Sequence, residues 1–193
     1  TFINASAIGY YGDTEELVVD EQGSKGVGFL SDVVSAWEQE AIKAESAGVR
    51  TVLVRTAPVL GQGGMLASLM KTVRFGFLMR LSKKDFWMSW IHEDDIVGVY
   101  LFALQTATLQ GVVNAVAPDH IRHHTFIDML GKAVHRRVLG TVPSFVGKRL
   151  FGELLDELTK SQQAQPRRLT DKGFTFAHPT VSSAFHAIFL KKK

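Results

Sequence analysis

The segment VRTVLVRTAPVLG, residues 49–61, constrains the fold more than any other part of the chain because it is apolar at almost every position. A run in which polar and apolar side chains do not alternate is typical of a strand that is buried on both faces of a parallel sheet. Residues 1–7 give a second strand candidate, which ends in the turn-forming sequence GYYGD. We therefore predict an α/β fold built on parallel strands.

A helix is predicted between these two strands, at residues 29–47. Its apolar side chains recur at spacings of three and four, at Leu30, Val33, Val34, Trp37, Ala41 and Ala44. Gly48 follows them and is expected to end the helix. The order of strand, helix and strand predicts a βαβ unit, in which residues 1–7 and 51–60 are neighbouring parallel strands.

Further short elements follow from the same reasoning. We predict a helix at 65–75, a short strand at FWMSWI, a helix at HEDDIVGVYLFALQ capped by Asp94 or Asp95, a strand at GVVNAVA and a helix that begins near Thr125. Residues 1–117 then form part of a Rossmann-like, doubly wound parallel sheet, and residues 118–193 form a smaller, mainly helical lobe.

The number of good strands, two or three, is too small for a parallel sheet covered on both faces. No G-x-G-x-x-G follows a strand, and GQGG after residue 60 lacks the third glycine of that phosphate-binding turn. We therefore expect this chain to be the C-terminal part of a larger domain, with the earlier strands and the phosphate turn upstream of Thr1.

Composition excludes several classes of protein. Hydrophobic residues make up 46% of the chain, which is too many for a disordered segment. The net charge of +3 comes from a surface of mixed sign, so we expect no nucleic-acid partner. No apolar run is long enough to span a membrane. The absence of cysteine excludes disulfides and thiolate chemistry, and is compatible with a cytoplasmic location.

Several stretches together resemble the later part of an extended short-chain dehydrogenase/reductase. They are SAIGYYGD, AWEQEA, VRTVLVRTAPVLGQGG, WMSWIHEDDIV, GVVNAVAP and SQQAQPRRLTDKGFTFAHPT, and they run from residue 5 to residue 180. The resemblance is narrower to a subgroup of nucleoside-diphosphate-sugar epimerase-like proteins, some of them described as cell-division-inhibitor homologues. It implies a Rossmann-type part that binds NAD or NADP, with NADP preferred, and a small C-terminal substrate lobe.

The resemblance also implies a catalytic set from which this chain departs. Such enzymes use a Ser or Thr, a Tyr and a Lys, with the Tyr and Lys four residues apart on one helix and a Glu four residues after the Lys. If Glu38 is that Glu, the Lys position falls on Val34 and the Tyr position on Leu30, and neither side chain can transfer a proton. Tyr10, at the carboxyl end of the first strand, is the candidate replacement for the phenol, with Ser6 as the residue that positions the substrate.

The candidate site residues therefore gather at strand ends. Ser6 and Tyr10 are the catalytic candidates, and Ser6, Tyr10, Pro58 and Val59 are the candidates for binding the cofactor. Trp87, Trp90 and His92 are the candidates for binding the substrate, and no metal site is predicted. Three of these assignments keep a structural alternative. In these alternatives Tyr10 and Tyr11 pack the following loop, His92 bonds a neighbouring backbone group, and at least one of Trp87 and Trp90 packs in the core.

Other polar residues are interpreted by their surroundings. Arg55 lies within the buried strand and needs an anion, either an acid of the domain or a phosphate of a ligand. His120, His123 and His124 have no metal-ligand spacing and are expected at the surface. Trp37 lies on the apolar stripe of its helix and is expected in the core.

Two functions follow from this pattern. The first is an NAD(P)-dependent epimerase-like or reductase-like protein that acts on a nucleotide sugar or a small carbonyl compound, with a homodimer as the oligomeric state to be tested. The alternative is a non-catalytic relative, which lacks the Tyr-x-x-x-Lys pair and uses the fold to bind a dinucleotide or a protein.

Overall fold

A computed structural model describes residues 1–63, 66, 69, 70, 73, 77–143, 145, 146, 149, 152 and 154–190 of the chain. The strands are β1 (Phe2–Ala7), β2 (Val18–Val19), β3 (Thr51–Thr56), β4 (Val59–Leu60), β5 (Phe77–Arg80), β6 (Trp87–Met88), β7 (Ile91–His92), β8 (Gly111–Ala115), β9 (Ile121–Arg122), β10 (Arg137–Thr141) and β11 (Gln163–Ala164). The α-helices are α1 (Phe29–Ile42), α2 (Glu93–Gln105), α3 (His123–Ala133), α4 (Leu154–Leu158), α5 (Arg167–Asp171) and α6 (Val181–Leu190). Short 3₁₀ helices cover Ile8–Tyr11 and Lys43–Ala47.

The central sheet has three parallel strands in the order β1-β3-β8. Phe2 pairs with Thr51 and Ala7 with Thr56 along one side of β3, and Val52 pairs with Gly111 along the other. The predicted parallel pairing of residues 1–7 with the following strand is confirmed. Every residue of β3 except Thr56 is buried, which explains why its sequence shows no alternation.

Helix α1 lies between β1 and β3 in the chain, as predicted, but it buries a different face. Its buried residues are Ser31, Val34, Glu38 and Ala41, whereas the exposed fractions of Val33 and Trp37 are 44% and 46%. The expectation that Trp37 belongs to the core is therefore wrong. The apolar pattern misleads here because two positions on the buried face are polar and find partners inside the protein, as described below.

The end of this helix follows the prediction. The last turn tightens into the 3₁₀ segment Lys43–Ala47, and Gly48 adopts the left-handed conformation with φ of 71°. Only a residue without a Cβ adopts that conformation at no steric cost, so Gly48 lets the chain turn directly into β3.

The predicted strand at 51–60 and the predicted strand FWMSWI are both broken in the structure. Residues 59 and 60 leave the central sheet as β4 and pair in parallel with β7, whereas β6 pairs with β9 in antiparallel fashion. FWMSWI is thus two strands with different partners. The predicted helix at 65–75 lies largely outside the described residues.

The N-terminal cap of α2 is a different residue from the one predicted. The Nδ1 atom of His92 accepts a hydrogen bond from the backbone N–H of Asp94 at 3.1 Å, so His92 is the N-cap. The prediction that Asp94 or Asp95 caps this helix is therefore wrong. The Asp95 carboxylate instead accepts hydrogen bonds from the backbone N–H groups of Ala177 and His178, which lie just before α6.

The segment after α4 returns to the central sheet. The Nε2 amide of Gln162 donates to the carbonyl oxygens of Ile8 and Gly12, at 3.3 and 2.9 Å, and β11 pairs with β2. Arg168 then donates to the carbonyl oxygen of Val112 in β8 at 2.6 Å. The carboxyl end of β1 and the amino end of β8 are therefore held by residues far along the chain. Across the residues that the structure describes, no helix has both the length and the apolar character needed to cross a membrane.

Candidate active site

A buried ion pair lies behind the central sheet. The Glu38 carboxylate on α1 accepts hydrogen bonds from Nε and Nη2 of Arg55 on β3, at 2.8 and 2.7 Å, and from the Ser6 hydroxyl on β1 at 2.5 Å. All three residues are buried, with exposed fractions of 3 to 5%. Of the two anions that the sequence left open for Arg55, the structure supplies the acid of the domain.

The double tyrosine of GYYG is part of the same network. The Tyr11 hydroxyl donates to Oδ1 of Asn114 on β8 at 2.8 Å and accepts from Nη1 of Arg55 at 3.0 Å. The Arg55 guanidinium also lies 3.4 Å from the centroid of the Tyr10 ring, which is a cation–π contact. Both tyrosines thus contact one buried arginine.

The protonation states in this network are fixed by burial and by its hydrogen bonds. Burial opposes the charge of Arg55, but its bonds to Glu38 and Tyr11 hold its pKa above the ordinary value for arginine. Burial also raises the pKa of the Tyr11 phenol, although Arg55 acts in the opposite direction. Tyr11 is therefore a neutral hydrogen-bonding group at physiological pH and is unsuited to act as a base.

A large cavity opens beside this network, at the carboxyl ends of β1 and β3. Its volume is about 900 Å³. The described residues that line it are Ala7, Ile8, Gly9, Leu30, Val34, Thr56, Ala57, Pro58, Leu69, Met79, Leu81, Phe86, Trp87, Met88, Ser89, His123, Phe126, Ile127, Val142, Pro143, Val146, Glu157, Leu158, Lys160 and Gln162. This is the position at which open α/β sheets bind their ligands.

Two residues of α1 carry the argument for an active site here. Leu30 and Val34 both line the cavity. They are the positions on which the resemblance places the Tyr and the Lys when Glu38 is taken as the Glu that follows them. The cavity is thus lined at the position of the Tyr that would transfer a proton and at the position of the Lys that would lower its pKa, and both positions carry aliphatic side chains.

The predicted site residues are only partly brought together. Pro58 and Trp87 line the cavity, whereas Ser6 and Tyr10 belong to the Arg55 network and are not among the described residues that line it. Val59 lies in β4, paired with Ile91. The roles assigned to these residues stay predictions.

Trp90 and His92, the other two substrate candidates, lie away from the lining. Trp90 is fully buried in a core cluster and donates from Nε1 to the Asp119 carbonyl oxygen at 3.0 Å. His92 is 3% exposed and its ring lies 3.9 Å from that of His178. Burial, followed by the His178 charge, lowers the pKa of His92. His92, Asp94 and His178 offer ligand atoms within 4.8 Å of one another, but His92 Nδ1 already accepts the Asp94 N–H.

His123 is a site residue that the sequence did not reveal. We expected it at the surface, yet it is 5% exposed, lines the cavity and stacks on Phe86. Its Nε2 accepts the backbone N–H of Leu81 at 2.9 Å. Burial lowers its pKa to about 4, so the ring is neutral at physiological pH. No spacing pattern distinguishes it from His120 and His124, because its burial depends on segments far away in the sequence.

A second missed feature is the ion pair at another part of the lining. Lys160 Nζ lies 2.7 Å from Oε1 of Glu157, and both side chains are less than one fifth exposed. A Cβ at Gly28 would lie 2.7 Å from the same Nζ atom, so the absence of a side chain at Gly28 makes room for the ammonium group at the start of α1. The i,i+3 spacing of Glu157 and Lys160 predicts a surface pair, and nothing in the sequence places it at a cavity.

The lining next to β1 and β3 fits the nicotinamide end of a dinucleotide. Gly9, Ala57 and Pro58 are small or flat, and they leave space against the strand ends for a planar ring. Thr56 also lines the cavity, and its hydroxyl donates to the Val54 carbonyl oxygen at 3.3 Å. A nicotinamide cofactor bound here would supply or accept a hydride, while the residues of this chain would position the ring and exclude water.

Comparison with known sequences finds relatives that are called epimerase family proteins. A family profile described as a domain of unknown function, DUF1731, matches residues 142–188. An epimerase family protein of Mycobacterium leprae is 38% identical over 186 residues, which are 95% of this chain and 61% of the relative. A chloroplastic epimerase family protein of Arabidopsis thaliana is 35% identical over 96% of this chain and 54% of the relative. The chain thus spans less than two thirds of the length of these relatives.

The solved structures that resemble this chain include epimerases and an epimerase family protein. The human epimerase family protein SDR39U1, solved with NADPH, superposes with a TM-score of 0.85 at 27% identity, over 98% of this chain and 65% of that one. A nucleoside-diphosphate sugar epimerase of Corynebacterium glutamicum has a TM-score of 0.78 at 30% identity, over 97% of this chain and 37% of that one. A UDP-glucose 4-epimerase of Thermus thermophilus, 15% identical with a TM-score of 0.73 over 99% of this chain and 64% of that one, shares the fold. Over the part of its relatives that it spans, the chain is similar in sequence to epimerase family proteins and has the fold of the human epimerase family protein SDR39U1.

Proposed function

We propose that this chain is part of an NAD(P)-dependent oxidoreductase of the epimerase or reductase type, whose substrate binds in the cavity next to β1 and β3. The observation that carries the proposal is that Leu30 and Val34, the positions of the Tyr and the Lys in the resemblance, both line this cavity. The human relative was solved with NADPH, and on that ground we propose NADPH in preference to NADH. We keep the cytoplasm as the proposed location.

The mechanism that these residues support is one of binding and exclusion of water. The hydride would come from the cofactor, held against Gly9, Ala57 and Pro58. Apolar side chains such as Phe86 and Phe126 keep water away from the reacting carbon. Because neither Leu30 nor Val34 can donate a proton, the substrate oxygen must be protonated by another group, and we expect turnover to be slow.

The test is NADPH binding by the full-length protein and its Gly9→Val variant. A Cβ at Gly9 would lie 3.4 Å from the Leu30 side chain, so the valine methyl groups would press against Leu30 and narrow the cavity that both residues line. We expect the Kd for NADPH to rise at least about tenfold in Gly9→Val, as expected for the loss of about 1.4 kcal/mol.

Gly63→Val is the matched control, because a Cβ there meets no atom within 4 Å. Its Kd should equal that of the wild type. Equal affinities in Gly9→Val and wild type would contradict the proposed position of the cofactor. Absence of NADPH and NADH binding in all three proteins would contradict the function itself.

The alternative, a non-catalytic relative that binds the dinucleotide, is supported by the aliphatic pair Leu30 and Val34. It predicts NADPH binding with no turnover for any carbonyl compound, so the wild-type rate of NADPH oxidation with a panel of carbonyl compounds and nucleotide sugars separates the two.

For the assembly we propose a homodimer formed through the outer face of α1. Phe29, Val33 and Trp37 are exposed to 73, 44 and 46% and recur every four residues, so they form one apolar stripe. A stripe of this kind can pair with its own copy across a two-fold axis.

A further inference from the structure

The polar groups of the cavity lining are already occupied by the protein itself. Ser89 Oγ donates to the Gln162 carbonyl oxygen at 3.0 Å and accepts the Ala164 N–H at 2.9 Å. The Gln162 amide donates to two backbone carbonyl groups of the Ile8–Gly12 turn. His123 accepts from Leu81 through Nε2 and contacts the Met88 sulfur through Nδ1. These side chains hold the walls together and have little capacity left to recognise a ligand.

The charges of the described lining cancel. Glu157 and Lys160 are its acid and its base, they pair with each other, and His123 is neutral at physiological pH. A nucleoside diphosphate carries negative charge on both phosphates and is normally bound by arginine, lysine or a row of backbone N–H groups. Among the described lining residues its charges would find no net positive partner and would be buried beside apolar side chains, which is strongly unfavourable.

The remaining lining is apolar. It includes Phe86, Trp87, Phe126 and the flexible side chains of Met79 and Met88. Aromatic and methionine side chains of this kind bind apolar molecules of varied shape. One group in this lining keeps hydrogen-bond donors for a ligand, because the Lys160 ammonium has three and gives one to Glu157. Its Nζ atom lies against Gly28, at the start of the helix that carries Leu30 and Val34.

We propose that the substrate of this site is an uncharged, largely apolar carbonyl compound or alcohol whose oxygen accepts a hydrogen bond from Lys160, and that it is not a nucleoside-diphosphate sugar. This inference rests on the proposed function, since it assigns the substrate class of the same cavity. The hydride would pass between the cofactor and the carbonyl carbon, and the proton of the alcohol product would come from the Lys160 ammonium, which water recharges.

Direct binding by the full-length protein tests this inference. The probes are 2-acetonaphthone, its isostere 2-ethylnaphthalene without the oxygen, and UDP-glucose, each titrated calorimetrically with and without saturating NADPH. We expect 2-acetonaphthone to bind at least tenfold more tightly than UDP-glucose. Tighter binding of UDP-glucose would overturn the inference.

Variants of Lys160 test the role of the ammonium. Lys160→Met should weaken the binding of 2-acetonaphthone about tenfold and change the affinity for 2-ethylnaphthalene by less than twofold. Lys160→Arg should retain most of the affinity for the ketone. The double variant Glu157→Gln/Lys160→Met repeats the test without leaving an unpaired carboxylate. Equal losses for both naphthalenes, or no loss for either, would remove Lys160 from substrate binding.

The NADPH titration of the same samples separates the two proposals. Loss of NADPH binding with retained binding of 2-acetonaphthone would contradict the proposed function and leave the chemistry of the cavity as inferred. Retained NADPH binding with no binding of 2-acetonaphthone would overturn the substrate class and leave the function.

Discussion

At the scale of single residues, the ion pair between Arg55 and Glu38 is the centre of a buried network. It joins α1 to the central strand β3 and supports Ser6, Tyr10 and Tyr11 at the same time. Both side chains are almost inaccessible to water, at 4 and 6% exposure. Removal of one partner therefore leaves a buried charge without compensation.

We expect Glu38→Gln to lower the free energy of unfolding by about 3 to 5 kcal/mol, the range typical of breaking a buried pair. Glu40→Gln on the same helix is the matched control. The pair of Glu40 with Lys43 is exposed, so its loss should cost less than about 1 kcal/mol. Urea unfolding measures both values, and similar costs for the two variants would contradict the importance assigned to the buried pair.

His123 makes stability depend on pH. Its pKa in the folded protein is about 4, below the ordinary value of 6.5, because burial disfavours the charged ring. The unfolded chain therefore binds the proton first. The stabilisation that His123 provides is complete above about pH 6.5 and is lost as the pH falls towards 4, by up to about 3 kcal/mol.

The difference in unfolding free energy between wild type and His123→Gln, measured from pH 7.5 to 4.5, isolates this contribution from that of the carboxylates. We expect the wild type to lose more stability than His123→Gln over this interval. His186→Gln, which changes an exposed histidine, should keep the wild-type profile. If the unfolding free energies of wild type and His123→Gln change with pH in parallel, the His123 ring has the same pKa in the folded and the unfolded protein, and the prediction is wrong.

At the scale of elements, α1 shows what the sequence could and could not predict. Its existence, its end at Gly48 and its place between two parallel strands follow from periodicity and from the apolar run of β3. Its buried face does not, because Ser31 and Glu38 are polar and only the partners Tyr10 and Arg55 make their burial favourable. Those partners lie on other elements, and no local pattern reports them.

The residues of the site were also predictable only where a local sequence pattern reports them. The strand ends at GYYG and Pro58 were predictable as a ligand-binding edge, since parallel strands present their carboxyl ends together. His123, Glu157 and Lys160 were not, because they reach the cavity through α3 and the segment after α4. Residue type and spacing alone also gave His92 a role at the site, whereas it caps α2.

The cavity-facing side of α1 permits an experiment that restores function. We expect Leu30→Tyr/Val34→Lys in the full-length protein to raise the rate of NADPH oxidation with a carbonyl compound at least tenfold, because general acid catalysis typically contributes factors of about 10² to 10⁴. Leu30→Phe/Val34→Met is the control of similar size without the proton donor. The rate is measured as the loss of NADPH absorbance, and equal rates in the two double variants would show that the cavity does not place a carbonyl group beside α1.

At the scale of the whole molecule, the apolar stripe of α1 bears on the assembly. We expect the full-length protein to sediment as a dimer and Trp37→Lys to shift it towards the monomer, since a charge on the stripe would be buried against its copy. Leu139→Lys is the control, because Leu139 is 55% exposed on β10, away from α1. A wild-type monomer at micromolar concentration, measured by analytical ultracentrifugation, would contradict the proposed dimer.

The return of the segment around Gln162 to the turn after β1 has a consequence for the order in which the molecule is made. Asp13 and Gly12 bond to residues about 150 positions later, and Asn114 on β8 donates to the Gln165 carbonyl oxygen. A ribosome releases β1, α1 and β3 long before it releases those partners. The nascent chain can therefore pair β1 with β3 early, but the wall of the cavity closes only when residues 161–165 have emerged. Translation that stops before that point yields a sheet with its carboxyl edge open to chaperones and proteases.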